Sequence, residues 1–228
     1  MTIDVVMPAR NEAATVAGNV AAARGCAYVR EVIVIDDGST DGTPELARAA
    51  GAKVETIDGS AGSKAHAMAM GVAYSDADAF LFVDADCLGL TAAHLDALCV
   101  PFLDGRCVMS IGAFDYGEPL NRIVRRCPPL SGERVLARWV FEAIPTEHLD
   151  GYTIEIRINE VVAKARLPVA IQTMAGVTHR TKRDKFGVAE GLRRTWWMFR
   201  DLLKLLLPGQ VRWRLYWYYL QKLRVLQG

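Results

Sequence analysis

Two carboxylates one residue apart, Asp84 and Asp86, stand at the end of the apolar run Phe80-Leu-Phe-Val83. In an extended chain residues i and i+2 project the same way, so the pair could hold one divalent cation between them, or a cation and a sugar hydroxyl. An isolated Asp-x-Asp is equally a pair of solvated turn aspartates, and the rest of the chain has to decide. A strand that is apolar throughout belongs in a parallel sheet covered on both faces. Ligands of such sheets gather at the carboxyl ends of the strands, where this pair sits. Three further strand ends carry polar clusters: Pro8-Ala-Arg-Asn-Glu12, Asp36-Asp-Gly-Ser-Thr-Asp41 and Thr178-His179. In a parallel sheet these ends lie side by side, so the clusters converge on one cleft.

The elements that must position them follow from pattern. Ile3–Met7 is a short apolar run stopped at Pro8, and Asn11–Arg24 reads as a helix. Glu31–Asp37 repeats the strand-then-acid pattern, and Asp41 is placed to cap a helix starting near Thr43-Pro44, with proline in the first turn. Ala52–Ile57 is the next strand, Asp58–Gly62 a loop, and Lys64–Tyr74 a helix. Beyond Asp86 the pattern predicts a helix over Thr91–Phe102 capped by Thr91, a strand over Arg106–Gly112 and a loop-rich stretch over 115–131. Helical spacing over Glu133–Ala143 and Ile154–Arg166 and a strand over Val169–Thr173 complete it. This rhythm predicts an α/β fold, a doubly wound and mostly parallel sheet, over residues 1–180. Residues 181–228 read as a helical tail. Leu192, Trp196, Phe199, Leu203 and Leu206 share one helical face; after Pro208-Gly209, so do Val211, Leu215, Tyr219 and Leu223.

Composition narrows the class. With 51% hydrophobic and 23% charged residues the chain is globular rather than disordered. The start, Met-Thr-Ile-Asp-Val-Val-Met, has no basic flank or long apolar core, so no secretory signal is expected. No apolar run approaches the ~18–20 residues of a spanning helix. Cys26, Cys87, Cys99, Cys107 and Cys127 lack Cys-x-x-Cys spacing, which favours reduced thiols in the cytoplasm over a disulfide frame or zinc site. The net charge of +1 hides a division: residues 1–179 hold 15 basic against 23 acidic residues, and residues 180–228 hold 12 against 3. Four of the five tryptophans also lie in that last piece. A basic, aromatic tail either packs on the domain, packs on a partner subunit in a homo-oligomer, or meets an anionic membrane face. No nucleic-acid module accompanies the charge.

Taken together, Met7-Pro-Ala-Arg-Asn-Glu12, Val34-Ile-Asp-Asp-Gly-Ser-Thr-Asp-Gly42 and Val83-Asp-Ala-Asp86 resemble the GT-A-fold, Rossmann-like nucleotide-sugar glycosyltransferases of family 2. Pro129-Leu-Ser-Gly-Glu133, Gly151-Tyr-Thr-Ile-Glu155 and Val177-Thr-His179 are similar to a narrower group, the retaining glucosyl-3-phosphoglycerate synthases of family 81. Two departures stand against the narrower match: Phe114–Leu120 lacks the Gly-Arg-Val-Thr that family uses for phosphoglycerate, and the sequence as read is expected to lack that family's N-terminal extension. The resemblance implies a nucleotide-diphosphate sugar donor, a Mn²⁺ or Mg²⁺ ion, and a small phosphorylated or lipid-linked acceptor.

It also assigns roles. Asp86 and His179 would hold the metal, with Asp84 as partner toward ribose or metal-bound water. Pro8, Ala9, Arg10, Glu12, Asp37 and Ala85 would line the nucleotide, Glu12 and Asp37 accepting from ribose hydroxyls and a base N–H. Lys64 would neutralise a phosphate, or else be solvated surface. Tyr152 and Glu155 would contact the donor sugar, and in an inverting enzyme Glu155 or Asp150 would instead be general base. Arg180, Lys182 and Lys185 would clamp the diphosphate or an anionic acceptor. The rivals are a polyprenyl-phosphate glycosyltransferase at the inner membrane face, a nucleotidyltransferase, and a non-catalytic nucleotide-sugar or lipid-surface binding module. Against the nucleotidyltransferase, the first strand opens into Pro8-Ala-Arg-Asn-Glu12 and not into a glycine-rich phosphate loop.

Overall fold

The computed structural model describes residues 1–57, 63–125, 131–146, 149, 154–179 and 213–226. The chain runs β1 (Ile3–Ala9), α1 (Val16–Gly25), β2 (Val29–Asp36), α2 (Thr43–Ala49), β3 (Lys53–Thr56), α3 (Lys64–Ala73) and β4 (Ala79–Phe82). Then follow β5 (Cys87–Leu88), α4 (Ala92–Leu103), β6 (Met109–Ala113), α5 (Leu120–Val124), β7 (Arg134–Ala137) and α6 (Arg138–Glu142). Next come α7 (Ile154–Ala165), β8 (Val169–Thr173), β9 (Thr178–His179), α8 (Trp213–Lys222) and β10 (Leu223–Val225). Eight strands form one sheet in the order β10-β8-β6-β7-β4-β1-β2-β3, and β5 pairs with β9 apart from it.

Every pairing in the large sheet is parallel except those of β7, which runs antiparallel to both β4 and β6. The alternation of side chains divides the core between two faces. Val5 and Met7 of β1 join Val16, Val20, Leu95 and Leu98 on the face covered by α1 and α4. Val6 joins Met68, Phe82, Ile158 and Val162 on the face covered by α3 and α7. Each such side chain taken fully out of water contributes roughly 1.5–3 kcal/mol. Helix α3 lies so close to the sheet that a Cβ on Gly71 would sit 2.4 Å from Cγ1 of Val6.

Three segments differ from expectation, each for a physical reason. Over Glu133–Ala143 the helical spacing gives way to a strand and one short helix. Val135 and Leu136 are fully buried on opposite faces of β7, and a short run apolar on both faces has no period to distinguish strand from helix. The first helix starts at Val16 rather than Asn11, because Asn11 adopts φ +56° and the amides of Glu12 and Ala13 bond to Thr43 and Asp41. Leu223, expected on the last helical face, instead opens β10, which pairs in parallel with β8 at Val169. Of that face Tyr219 is buried, packed with Val162 and Ile158 beneath α8. No described helix is long and apolar enough to cross a membrane. Asp58–Gly62, the amphipathic stretch through Leu206, and Tyr152, Asp150, Arg180, Lys182 and Lys185 lie outside the described residues.

Candidate active site

β4 delivers the paired carboxylates. Its four residues are all buried, and its pairing with β1 runs from Ile3↔Ala79 to Val6↔Phe82. The chain then turns at Ala85-Asp86, with Ala85 and Cys87 buried and Asp84 and Asp86 partly exposed. The turn is held from α1: Thr15 Oγ1 donates to the Ala85 carbonyl at 2.7 Å, and Asn19 Nδ2 to the carbonyls of Ala85 and Cys87 at 2.9 and 3.1 Å. Just beyond, Cys87 pairs with His179 in the β5–β9 ribbon, so the His179 backbone lies opposite the residue that follows Asp86. The His179 ring lies against Phe114, centroids 5.0 Å apart.

Beneath this lip is a partly buried group of charges. Lys64 opens α3 behind the N-cap Ser63, and its Nζ lies 2.6 Å from Asp84 Oδ1 and 2.9 Å from Glu155 Oε1 at the start of α7. Burial disfavours the ammonium, but Asp84, Glu155 and Glu133 more than offset this and hold the Lys64 pKa above the ordinary lysine range. Gly132 covers the pair: a Cβ there would stand 2.3 Å from Asp84 Oδ2 and 2.6 Å from Lys64 Nζ.

Glu133 is fully buried, its Oε1 accepting from the Asp84 amide at 3.4 Å and the Cys87 thiol at 3.2 Å, its Oε2 from Ser131 Oγ at 2.6 Å. Burial first, then the charge of Asp84, pushes its carboxyl from 4.5 up to about 7, against the pull of Lys64, Ser131 and Cys87. Burial, reinforced by Glu133, pushes the Cys87 thiol up, so it keeps its proton. Arg134 is also fully buried; it donates from Nε to the Ser131 carbonyl at 3.0 Å and from Nη1 to Asn159 Oδ1 at 3.1 Å, tying this loop to α7.

The β1 and β2 ends build a second, adjoining wall. The Asp37 amide donates to the Ala9 carbonyl at 2.9 Å, bringing Pro8-Ala9-Arg10 against Asp37. Arg10 Nη1 lies 3.2 Å from Asp37 Oδ2, while the buried Oδ1 of Asp37 has no hydrogen-bond partner among the described residues. Glu12 is buried beside it, its amide donating to Thr43 Oγ1 at 2.8 Å.

Among the expected site residues that the structure describes, Asp84, Lys64 and Glu155 are in direct contact. Ala85 and Asp86 follow Asp84 in the chain, His179 pairs with the next residue, Cys87, and Pro8, Ala9, Arg10, Glu12 and Asp37 lie at the neighbouring β1 and β2 ends. Sequence reasoning gave no role to Asn19, Glu133 or Arg134. The one available signal for Asn19 was its spacing of four from Thr15 on a helix whose buried face is otherwise Val16, Val20 and Ala23. Among the described residues no three His, Cys, Asp or Glu side chains close on a metal position. A carboxylate and an imidazole on adjoining chain ends, with other positions left to ligand oxygens, suits a hard divalent cation of the Mg²⁺ or Mn²⁺ kind.

Comparison with known proteins agrees with this geometry. The model of the family described as Glycosyl transferase family 2 matches residues 4–149. Glucosyl-3-phosphoglycerate synthase of Mycobacterium tuberculosis (strain H37Rv) is 32% identical over 128 residues, 53% of this chain and 39% of that protein. The 4,4'-diaponeurosporenoate glycosyltransferase of Staphylococcus haemolyticus is 37% identical over 90 residues, 37% of this chain and 24% of that protein. The chain thus matches less than half the length of these curated relatives. A crystal structure of the M. tuberculosis synthase with Mn²⁺, UDP-glucose and phosphoglyceric acid superposes with a TM-score of 0.64 at 26% identity, over 78% of this chain and 72% of that one. The family match runs from β1 through the Asp84–Asp86 turn to residue 149, and on that ground the chain belongs to glycosyl transferase family 2.

Proposed function

We propose that this glycosyltransferase moves glucose from UDP-glucose to a hydroxyl of a small phosphorylated acceptor, with Mn²⁺ or Mg²⁺ and with retention at the anomeric carbon. The observation that supports this reading is the Cys87–His179 pairing, which puts the His179 backbone opposite the residue that follows Asp86, in the turn whose Asp84 is paired with Lys64. Solved structures of the M. tuberculosis synthase hold Mn²⁺ and UDP-glucose with phosphoglyceric acid or with glycerol 3-phosphate, which supports the choice of donor and acceptor class.

In this reading Asp86 and His179 would hold the cation, and Asp84, paired with Lys64, would lie toward the ribose. The bound cation neutralises the diphosphate and takes up the charge of the leaving group. The unpartnered Asp37 Oδ1 accepts from the base, since a buried carboxylate oxygen left unpaired is costly in the absence of a ligand. Glu12 accepts from the ribose, and Pro8, Ala9, Arg10 and Ala85 line the nucleotide. Lys64 is a fixed positive charge at the start of α3, close to where diphosphate and sugar meet. Glu155, engaged by Lys64 at 2.9 Å, is committed to an ion pair, which favours a sugar-orienting role over that of a free general base and hence favours retention. Tyr152, Arg180 and Lys182 complete the sugar and diphosphate contacts on the resemblance alone.

The test is thermal stabilisation by UDP-glucose and GDP-glucose, each with and without Mn²⁺. A donor present at a hundred times its Kd adds about 2.7 kcal/mol of stability. The reading expects that shift for UDP-glucose with Mn²⁺ and little without it; no shift for either sugar nucleotide would overturn it. UDP release accelerated by 3-phosphoglycerate and not by a polyprenyl phosphate then decides the acceptor class.

A further inference from the structure

Glu133 is a carboxylate with no solvent exposure in the middle of the fold. Burying such a group costs several kcal/mol unless its hydrogen bonds are made, and an apolar residue of similar volume is often as stable or more so. Its three contacts all bear on the site. The β4–β7 ladder ends at Phe82↔Arg134, so beyond it no strand meets the amide of Asp84 on that side. The Glu133 side chain takes that place: Oε1 accepts from the Asp84 amide at 3.4 Å and from the Cys87 thiol at 3.2 Å. Asp84 and Cys87 bracket the turn that carries Asp86, and Cys87 is the residue paired with His179. From the other side, Thr15 and Asn19 take the carbonyls of the same turn. Glu133 is fixed in its turn by Ser131 Oγ at 2.6 Å, and the Ser131 carbonyl by Arg134.

We propose that Glu133 is a positioning residue: by hydrogen bonding from behind, it sets the Asp84-Ala-Asp86 turn and, through Cys87, the strand that carries His179. The inference deepens the metal-dependent reading above and rests on it for its consequence. Hydrogen-bond acceptance, and not merely volume, is the property required. Partners that orient the groups around a metal typically matter 10- to 100-fold in metal affinity or activity.

The experiment compares Glu133→Leu, Glu133→Gln and wild type by amide hydrogen exchange without ligand and by Mn²⁺ titration in the presence of saturating UDP. The leucine variant should exchange faster in peptides covering 84–88 with α4 unchanged, and should bind Mn²⁺ roughly 10- to 100-fold more weakly. Glutamine keeps an acceptor for the Asp84 amide and should restore most of both. Should the leucine variant not accumulate, Ser131→Ala removes only the hydroxyl that holds Oε2 and should move both readouts in the same direction by less. Wild-type exchange at 84–88 in these variants, or acceleration spread evenly over the sheet, would overturn the proposal. A wild-type protein that binds no Mn²⁺ with UDP would instead count against the proposed function, while the exchange data still decide the role of Glu133.

Discussion

Glu133, buried, and Lys64, partly exposed, flank Asp84 and answer differently to pH. The folded protein keeps a proton on Glu133 up to about 7, whereas its unperturbed value is 4.5. Between those values the unfolded chain has released a proton that the native state still holds, so native stability falls as pH rises through that window and levels off above it. Lys64 is shifted upward from 10.5, so its contribution is fully present throughout the same window and adds no slope. Melting temperatures of the ligand-free protein from pH 5 to 8 should therefore decline, and Glu133→Gln should remove that part of the decline. A second expectation concerns Gly132. An alanine Cβ would fall 2.3 Å from Asp84 Oδ2, but both nearest groups are ends of flexible side chains. Gly132→Ala should fold with a loss of about 1–3 kcal/mol and lose transfer at least tenfold, read by a melt and a donor-hydrolysis assay. The carboxylates at strand ends were legible in sequence because each follows an apolar run. Asn19 and Glu133 were not, because the groups they hold on the Asp84–Cys87 turn lie at least 46 residues away in sequence.

The elements were legible where their period was clear. β1, β2, α3, α7 and β8 follow the hydrophobic pattern closely. β7 was read as helix because a run apolar on both faces looks alike in either conformation. That misreading hid the insertion of an antiparallel strand between β4 and β6, the feature that brings Ser131–Arg134 behind the site. Helix α1 acts as a clamp through Asn19, which is 3% exposed. Asn19→Ala leaves the carbonyls of Ala85 and Cys87 without that donor, so it should cost about 1–3 kcal/mol in chemical denaturation and slow turnover by more than it weakens donor binding. Equal losses in kcat and donor affinity would point to general loosening.

At the scale of the molecule, the parallel sheet gathers the clusters of β1, β2 and β4 at one end, while Thr178-His179, expected at an end of the same sheet, lies instead in the separate β5–β9 ribbon that follows the β4 turn. The described part of the basic tail is integral to this body: β10 extends the sheet, and Tyr219, 1% exposed, packs in the core with α7. Tyr219→Ala should lower stability by about 3–5 kcal/mol, the usual scale for truncating a large buried aromatic, whatever surface the exposed Arg214 and Arg224 face. The proposed metal-dependent, retaining transfer from UDP-glucose takes place at the Asp84–Asp86 turn. Early-time proton NMR of UDP-glucose hydrolysis, with Mg²⁺ as the diamagnetic ion and no acceptor added, tests it most directly. The account predicts that α-glucose appears first, before mutarotation, and that Asp86→Ala, still folded by circular dichroism, or removal of the metal abolishes it. First appearance of β-glucose, or undiminished hydrolysis by Asp86→Ala, would contradict it.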